Sequence, residues 1–242
     1  MWVLDSIYAE ILSFSIIETL FYWGQTWALL SYLGYFLPYK YGCKKETIAI
    51  SGCIPLMFHG LLVLVSCYHQ LLTGVIQFGQ GMSDFHKFLF EISCSFYIID
   101  TGLMFALKRY KIEILIHHVL VVVGFCTSFW TGFGSHEIIA CICCTEPSNI
   151  VMYGRYILKQ IGWKASRLYL MIELLYCTVF IIGRLCFGSY VVYNCWEGEK
   201  CPLLVSLTGT GVLLESVIHV YQMPGILRES IKEHNKAIKK AV

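Results

Sequence analysis

The chain has 242 residues, 57% of them hydrophobic and 14% charged, with a mean hydropathy of +0.65. Those values exclude an ordinary soluble domain and a disordered segment, and they identify an integral membrane protein. A net charge of +2 gives no reason to expect nucleic acid as a partner.

Seven apolar stretches follow one another, at residues 7–37, 47–73, 88–107, 112–131, 136–158, 168–193 and 203–224. In lipid only helices or a closed barrel satisfy the backbone, and the alternation of barrel strands is absent, so seven transmembrane helices are expected. Sixteen of the 18 Lys and Arg lie between the stretches or in the tail. Fourteen of them, including Lys40, Lys44, Lys45, Lys108, Arg109, Lys111, Lys159, Lys164 and Arg167, fall on one side of a seven-span topology, and only Lys87 and Lys200 on the other. The positive-inside rule then places the N-terminus outside and the C-terminus in the cytosol.

The first stretch keeps Glu10 and Glu18 and has no basic start, so it reads as a retained helix ending at Pro38. The second carries His59 near mid-depth and leads into a glycine-rich linker from Gly74 to Gly81. In the third, Asp100 lies about 10 Å from the inner end at about 1.5 Å per residue. The short basic loop from Lys108 to Lys111 makes the third and fourth helices antiparallel neighbours, which brings His117 to a similar depth and within reach of Asp100. His118 follows immediately and points about 100° away.

The fifth stretch reads Thr145-Glu146-Pro147-Ser148-Asn149 and continues to Arg155. Pro147 would free a backbone carbonyl near residue 143, while Glu146, Asn149 and Tyr153 share one face. The sixth holds Glu173 near its inner end and Arg184 well inside, a permanent charge that needs a carboxylate, a phosphate or water. The seventh holds Glu215 and His219 and is expected to stop at Met223-Pro224-Gly225, followed by a separate amphipathic tail. Among 12 cysteines, Cys141, Cys143 and Cys144 lack metal-ligand spacing, so no metal site is expected; Cys195 and Cys201 share an outer loop and could close a disulfide in an oxidising lumen.

The ordered set of His59 in Phe-His-Gly, Asp100, the His117-His118 pair, Glu146-Pro-Ser-Asn149 followed by Arg155, and Arg184 resembles the TLC-domain family of TRAM, LAG1 and CLN8 proteins over about residues 40–235. The resemblance implies a six-helix barrel built from the second to seventh helices, with residues 1–39 outside it and 236–242 as a basic tail. Ceramide synthases in that family follow the paired histidines with a His-Asp step and a further Asp; here Thr145-Glu146 and Asn149 stand in the corresponding place, as in the smaller TLC-domain-containing branch.

Two functions remain open on these grounds. One is acyl transfer from acyl-CoA, as co-substrate, to a lipid amine or alcohol. In it His117 or His118 acts as base oriented by Asp100, His59, Glu146, Asn149, Arg184 and His219 form the polar layer that holds the lipid, and Arg155 offsets negative charge. The other is a non-catalytic protein that binds a phospholipid or sphingolipid, or steadies partner subunits in a membrane complex. The endoplasmic reticulum is the expected location, with the mitochondrial inner membrane and plasma membrane as alternatives.

Overall fold

The computed structural model describes residues 16–36, 44–106 and 111–241. Glu10, Pro38, Lys40, Lys108 and Arg109 lie outside those ranges. The described residues form seven helices: α1 (Ile16–Ser31, continued by a π turn, Tyr32–Phe36), α2 (Lys45–Leu72), α3 (Asp84–Ala106), α4 (Ile112–Thr131), α5 (Ser135–Gln160), α6 (Arg167–Glu197) and α7 (Leu203–Ala241). One antiparallel bridge, Gly81 to Phe133, is the only extended pairing among them.

Five helices are long and apolar enough to cross a membrane: α2 from Ile50, α3, α4, α6 and α7. The described part of α1 is 16 residues. α5 has the length, at 26 residues, but its span is diluted by His136, Glu137, Glu146, Asn149 and Arg155. That polarity has a structural counterpart, because α5 turns its acidic side chains away from lipid: Glu137 and Glu146 are 0% and 5% exposed. Large apolar side chains cover the outside instead, among them Leu61, Val65, Trp130, Ile182, Leu214 and Tyr221. A surface of this kind is stable against acyl chains and not against water.

The packing order around the molecule is α2, α3, α4, α7, α6, α5 and back to α2, a closed ring of six antiparallel-connected helices. The ring is flattened, so α5 also reaches α3, α4 and α7 across its interior. α1 stays outside and lies along α3. Its Trp27, fully buried, donates from Nε1 to the Ile92 carbonyl at 3.2 Å and sets its ring edge-on to His59 and Phe96. Phe90, Phe125, Leu89, Ile139 and Val63 fill one end of the ring.

The α4–α5 connection is only Gly132-Phe133-Gly134, and both glycines are left-handed, with φ of 72° and 84°. Only glycine takes that conformation without a Cβ penalty, which is why so short a turn works here. One sequence expectation needs correction. The seventh helix does not stop at Pro224: α7 runs unbroken to Ala241. Anchors hold the continuation in place, since Ser230 donates to Glu173 (3.3 Å), Lys164 to Glu229 (2.6 Å) and His234 meets the Ala165 carbonyl (2.7 Å). Those contacts offset the hydrogen bond lost at the proline. Cys195 and Cys201, whose pairing the sequence leaves open, are free thiols here, and the Ser206 hydroxyl lies 2.9 Å from the Cys195 carbonyl and 3.6 Å from Cys201 Sγ.

Candidate functional site

A cavity lies inside the ring, with ≈ 720 Å³ of empty space counting its open part. All six ring helices line it. Its wall is mostly apolar, from Val63, Val121, Phe125, Ile138, Ile142 and Val212, and its polar groups gather toward two ends.

At one end stand His59, Ser93, His117, Thr145 and Glu146. His59, on α2, shares a 3.2 Å hydrogen bond with Ser93 Oγ and stacks flat on Phe96, ring centroids 3.9 Å apart. Glu146, on α5, accepts from Asn149 Nδ2 at 3.2 Å. Gly60 makes the α2–α5 approach possible, since a Cβ there would come within 3.0 Å of Glu146 Oε2. His117, on α4, meets Glu215 Oε2 of α7 through Nδ1 at 3.0 Å. An ionised carboxylate can only accept, so Nδ1 carries the proton, and the neutral form of the ring then has its lone pair on Nε2.

The two adjacent histidines face different helices. His118 is buried and faces α3, where Nδ1 lies 2.8 Å from Thr101 Oγ1 and Nε2 lies 3.7 Å from Asp100 Oδ2. Asp100 therefore neighbours His118, while Glu215 takes the place beside His117 that equal depth alone suggested for Asp100. The roughly 100° between consecutive residues decides this.

Arg184 sits in the middle segment of α6, Ile181–Phe187, where the helix widens to a π-helix. Its Nε donates to Ser148 Oγ (3.0 Å), a terminal nitrogen donates to Asn149 Oδ1 (2.7 Å), and the guanidinium rests over the Phe180 ring at 4.8 Å. Asn149 thus links the cation to Glu146. Ser148 and Asn149, just after Pro147, supply neutral acceptors in place of a direct carboxylate or a phosphate. His219 stacks against the other participant, Phe180, at 5.3 Å.

Arg155 is not brought to this cavity. It pairs with the fully buried Glu173 at 2.5 Å and lies over Tyr176. Together with Lys159, Lys164, Tyr169 and Ser230 it lines a second cavity, with ≈ 560 Å³ of empty space counting its open part, beside the α5–α6 connection. There the Glu229 carboxylate pushes the Lys164 ammonium above its ordinary range by accepting its hydrogen bond.

The opposite end of the main cavity holds a group that the sequence reading passed over. Glu137, in the first turn of α5, accepts from the Gly79 backbone N–H at 2.7 Å through Oε1, and the neighbouring His136 accepts from the Gln77 N–H at 3.2 Å through Nδ1. These two side chains fasten the α2–α3 loop across the barrel. Ile76 and Phe78 of that loop pack against Ala140, Val191 and Cys195. Close by, His86 Nδ1 is 2.9 Å from Ser135 Oγ. Glu215 was named without a role and Glu137 was passed over for one reason: each acquires its meaning from a partner on another helix or loop, at 98 and 58 residues' separation. A single acid in an otherwise apolar run was the available signal. Among the described residues no cluster of three metal-ligating side chains occurs.

The family model described as the TLC domain, shared by TRAM, LAG1 and CLN8, matches residues 47–228. No solved structure gives a significant match to the chain.

Proposed function

Because the chain belongs to the TLC-domain family, and its barrel encloses an apolar cavity with a polar end, we propose that it binds a lipid chain inside the barrel and transfers an acyl group at that end. The observation that carries this reading is His117, which lines the cavity and places Nδ1 3.0 Å from Glu215 Oε2, an arrangement in which the neutral ring offers Nε2 as the base. An amine or hydroxyl of the acceptor lipid attacks the carbonyl of an acyl thioester such as acyl-CoA. Its proton passes to His117 Nε2 and then to the departing thiolate, so that amide or ester and free thiol result. Glu215 stabilises the imidazolium formed in between. His59, with Ser93, and Glu146 position the polar group. His118, Asp100, Asn149, Arg184 and His219 act behind these residues, holding the helices at the required rotation.

Charge distribution supports a topology with seven spans, the N-terminus outside and the basic ends, with Lys164 and the tail, in the cytosol where acyl-CoA is found. The endoplasmic reticulum is the membrane this arrangement suits.

One observation favours a second reading, a non-catalytic lipid-binding subunit of a membrane assembly: Glu146, Asn149, Ser148 and Arg184 satisfy one another without any ligand. Purified protein given acyl-CoA with a lipid amine or alcohol separates the two. The catalytic reading expects thiol release by the wild type and a loss of at least about 10²-fold in His117→Ala. Absence of wild-type turnover with every acceptor overturns it and leaves the binding reading, for which a co-purifying lipid is the positive sign.

A further inference from the structure

Glu137 carries one carboxylate oxygen that nothing among the described residues satisfies. Its side chain is 0% exposed. Oε1 is engaged by the Gly79 N–H, whereas Oε2 is buried without a hydrogen-bond partner, and the residue lines the main cavity. Buried polar atoms in native proteins are almost always paired, so an orphaned acceptor on a cavity wall points to a donor supplied from within the cavity. The peptide N–H groups of the first turn of α5 lie along the helix and do not reach Oε2.

Position narrows the donor. Glu137 and Glu146 lie on the same helix, nine residues apart, a rise of about 13 Å at about 1.5 Å per residue. Between these levels the wall is mostly apolar, with Val121, Phe125, Ile138 and Ile142, and the Thr208 hydroxyl that interrupts it already donates to the Val205 carbonyl at 3.0 Å. The cavity therefore has an acceptor at each end and hydrocarbon between them. A simple saturated chain would fill the middle and leave Oε2 unpaired. We infer that Glu137 is a second anchoring group, at the end of the cavity remote from His117, for a medium-length lipid chain that terminates in a hydrogen-bond donor, a hydroxyl or an ammonium. This rests on the reading of the cavity as a lipid site and adds the chemistry of the chain's far end. Glu137 then has two simultaneous tasks, since Oε1 fastens the α2–α3 loop across the barrel while Oε2 receives the ligand, so binding of such a chain also firms the loop.

The test uses the full chain in detergent, with displacement of a fluorescent fatty-acid ester as readout. The probes are methyl dodecanoate and its ω-hydroxy, ω-amino and ω-carboxy derivatives. In the wild type the ω-hydroxy and ω-amino esters are expected to bind roughly tenfold or more tightly than methyl dodecanoate, because a site built around a hydrogen bond rejects the analogue that lacks it. The ω-carboxy ester is expected to bind worse than methyl dodecanoate. Glu137→Gln keeps an oxygen for Gly79 and turns an amide N–H toward the cavity, so the advantage of the ω-amino ester disappears.

Equal affinity of the hydroxy, amino and plain esters for the wild type overturns the inference, as when a water serves Oε2. So does an ω-amino advantage that survives in Glu137→Gln. If that variant does not fold, the wild-type ranking of amino over plain over carboxy decides alone. Binding of methyl dodecanoate with no benefit from a terminal donor removes only the inference about Glu137. If no ester displaces the probe, the lipid-cavity reading falls with it.

Discussion

Arg155 and Glu173 illustrate what a buried charge requires. Glu173 has no exposed surface, and its two oxygens accept from Arg155 and Ser230, on α5 and α7. Removing only the cation leaves a buried carboxylate without its counter-charge. Arg155→Met is therefore expected to destabilise by about 3–5 kcal/mol, and the double change Arg155→Met with Glu173→Met by clearly less. Thermal unfolding of the detergent-solubilised variants checks both, and a double variant no better than the single one would contradict the account. The same scale marks how far the sequence carried. Polar residues inside apolar runs identified His59, His117, Glu146 and Arg184 as interior groups, because lipid tolerates no unpaired charge. Which partner each one takes was not legible. Depth along a helix follows from counting residues, whereas rotation depends on which face the neighbours bury, and so Asp100 fell to His118 and Glu215 to His117.

α6 joins two α-helical segments through the π segment Ile181–Phe187. Insertions of this kind re-aim side chains, and they recur at functional positions. Here the widened turn coincides with a close approach to α5: a Cβ at Gly183 would stand 2.5 Å from the Cys144 carbonyl oxygen. The backbone there cannot yield as a flexible side chain would. Gly183→Ala is expected to cost about 1–3 kcal/mol and to shift Arg184 away from Ser148 and Asn149. A lowered melting temperature in Gly183→Ala, with that of Gly154→Ala unchanged or raised because nothing lies within 4 Å of its added Cβ, is the outcome to look for. Apolar run length located every one of the seven helices, but it carries no information on π insertions. It also misplaced the end of α7, since a local breaker such as Pro224 is outweighed when the following turn finds distant anchors at Glu173 and Ala165.

For the molecule as a whole, antiparallel connection gathers the start of α2, the start of α4, the end of α5, the start of α6 and the end of α7 on one side, and Lys44, Lys45, Lys111, Lys159, Lys164 and Arg167 gather with them. The expected orientation makes that side cytosolic. A glycosylation acceptor placed at Lys200 should be modified in microsomes and one after Val242 should not; the reverse pattern overturns the orientation. Ring closure was expected only through the family resemblance, because composition specifies that helices cross the membrane and says nothing of their neighbours. The position of α1 has a practical consequence for any attempt to reduce the protein to its smallest working unit. The matched family segment begins at residue 47, yet the indole of Trp27 covers the outer edge of His59 and occupies the Ile92 carbonyl. Truncation at the family boundary would hand both groups to the acyl chains of the bilayer. A minimal fragment must therefore begin before the domain does.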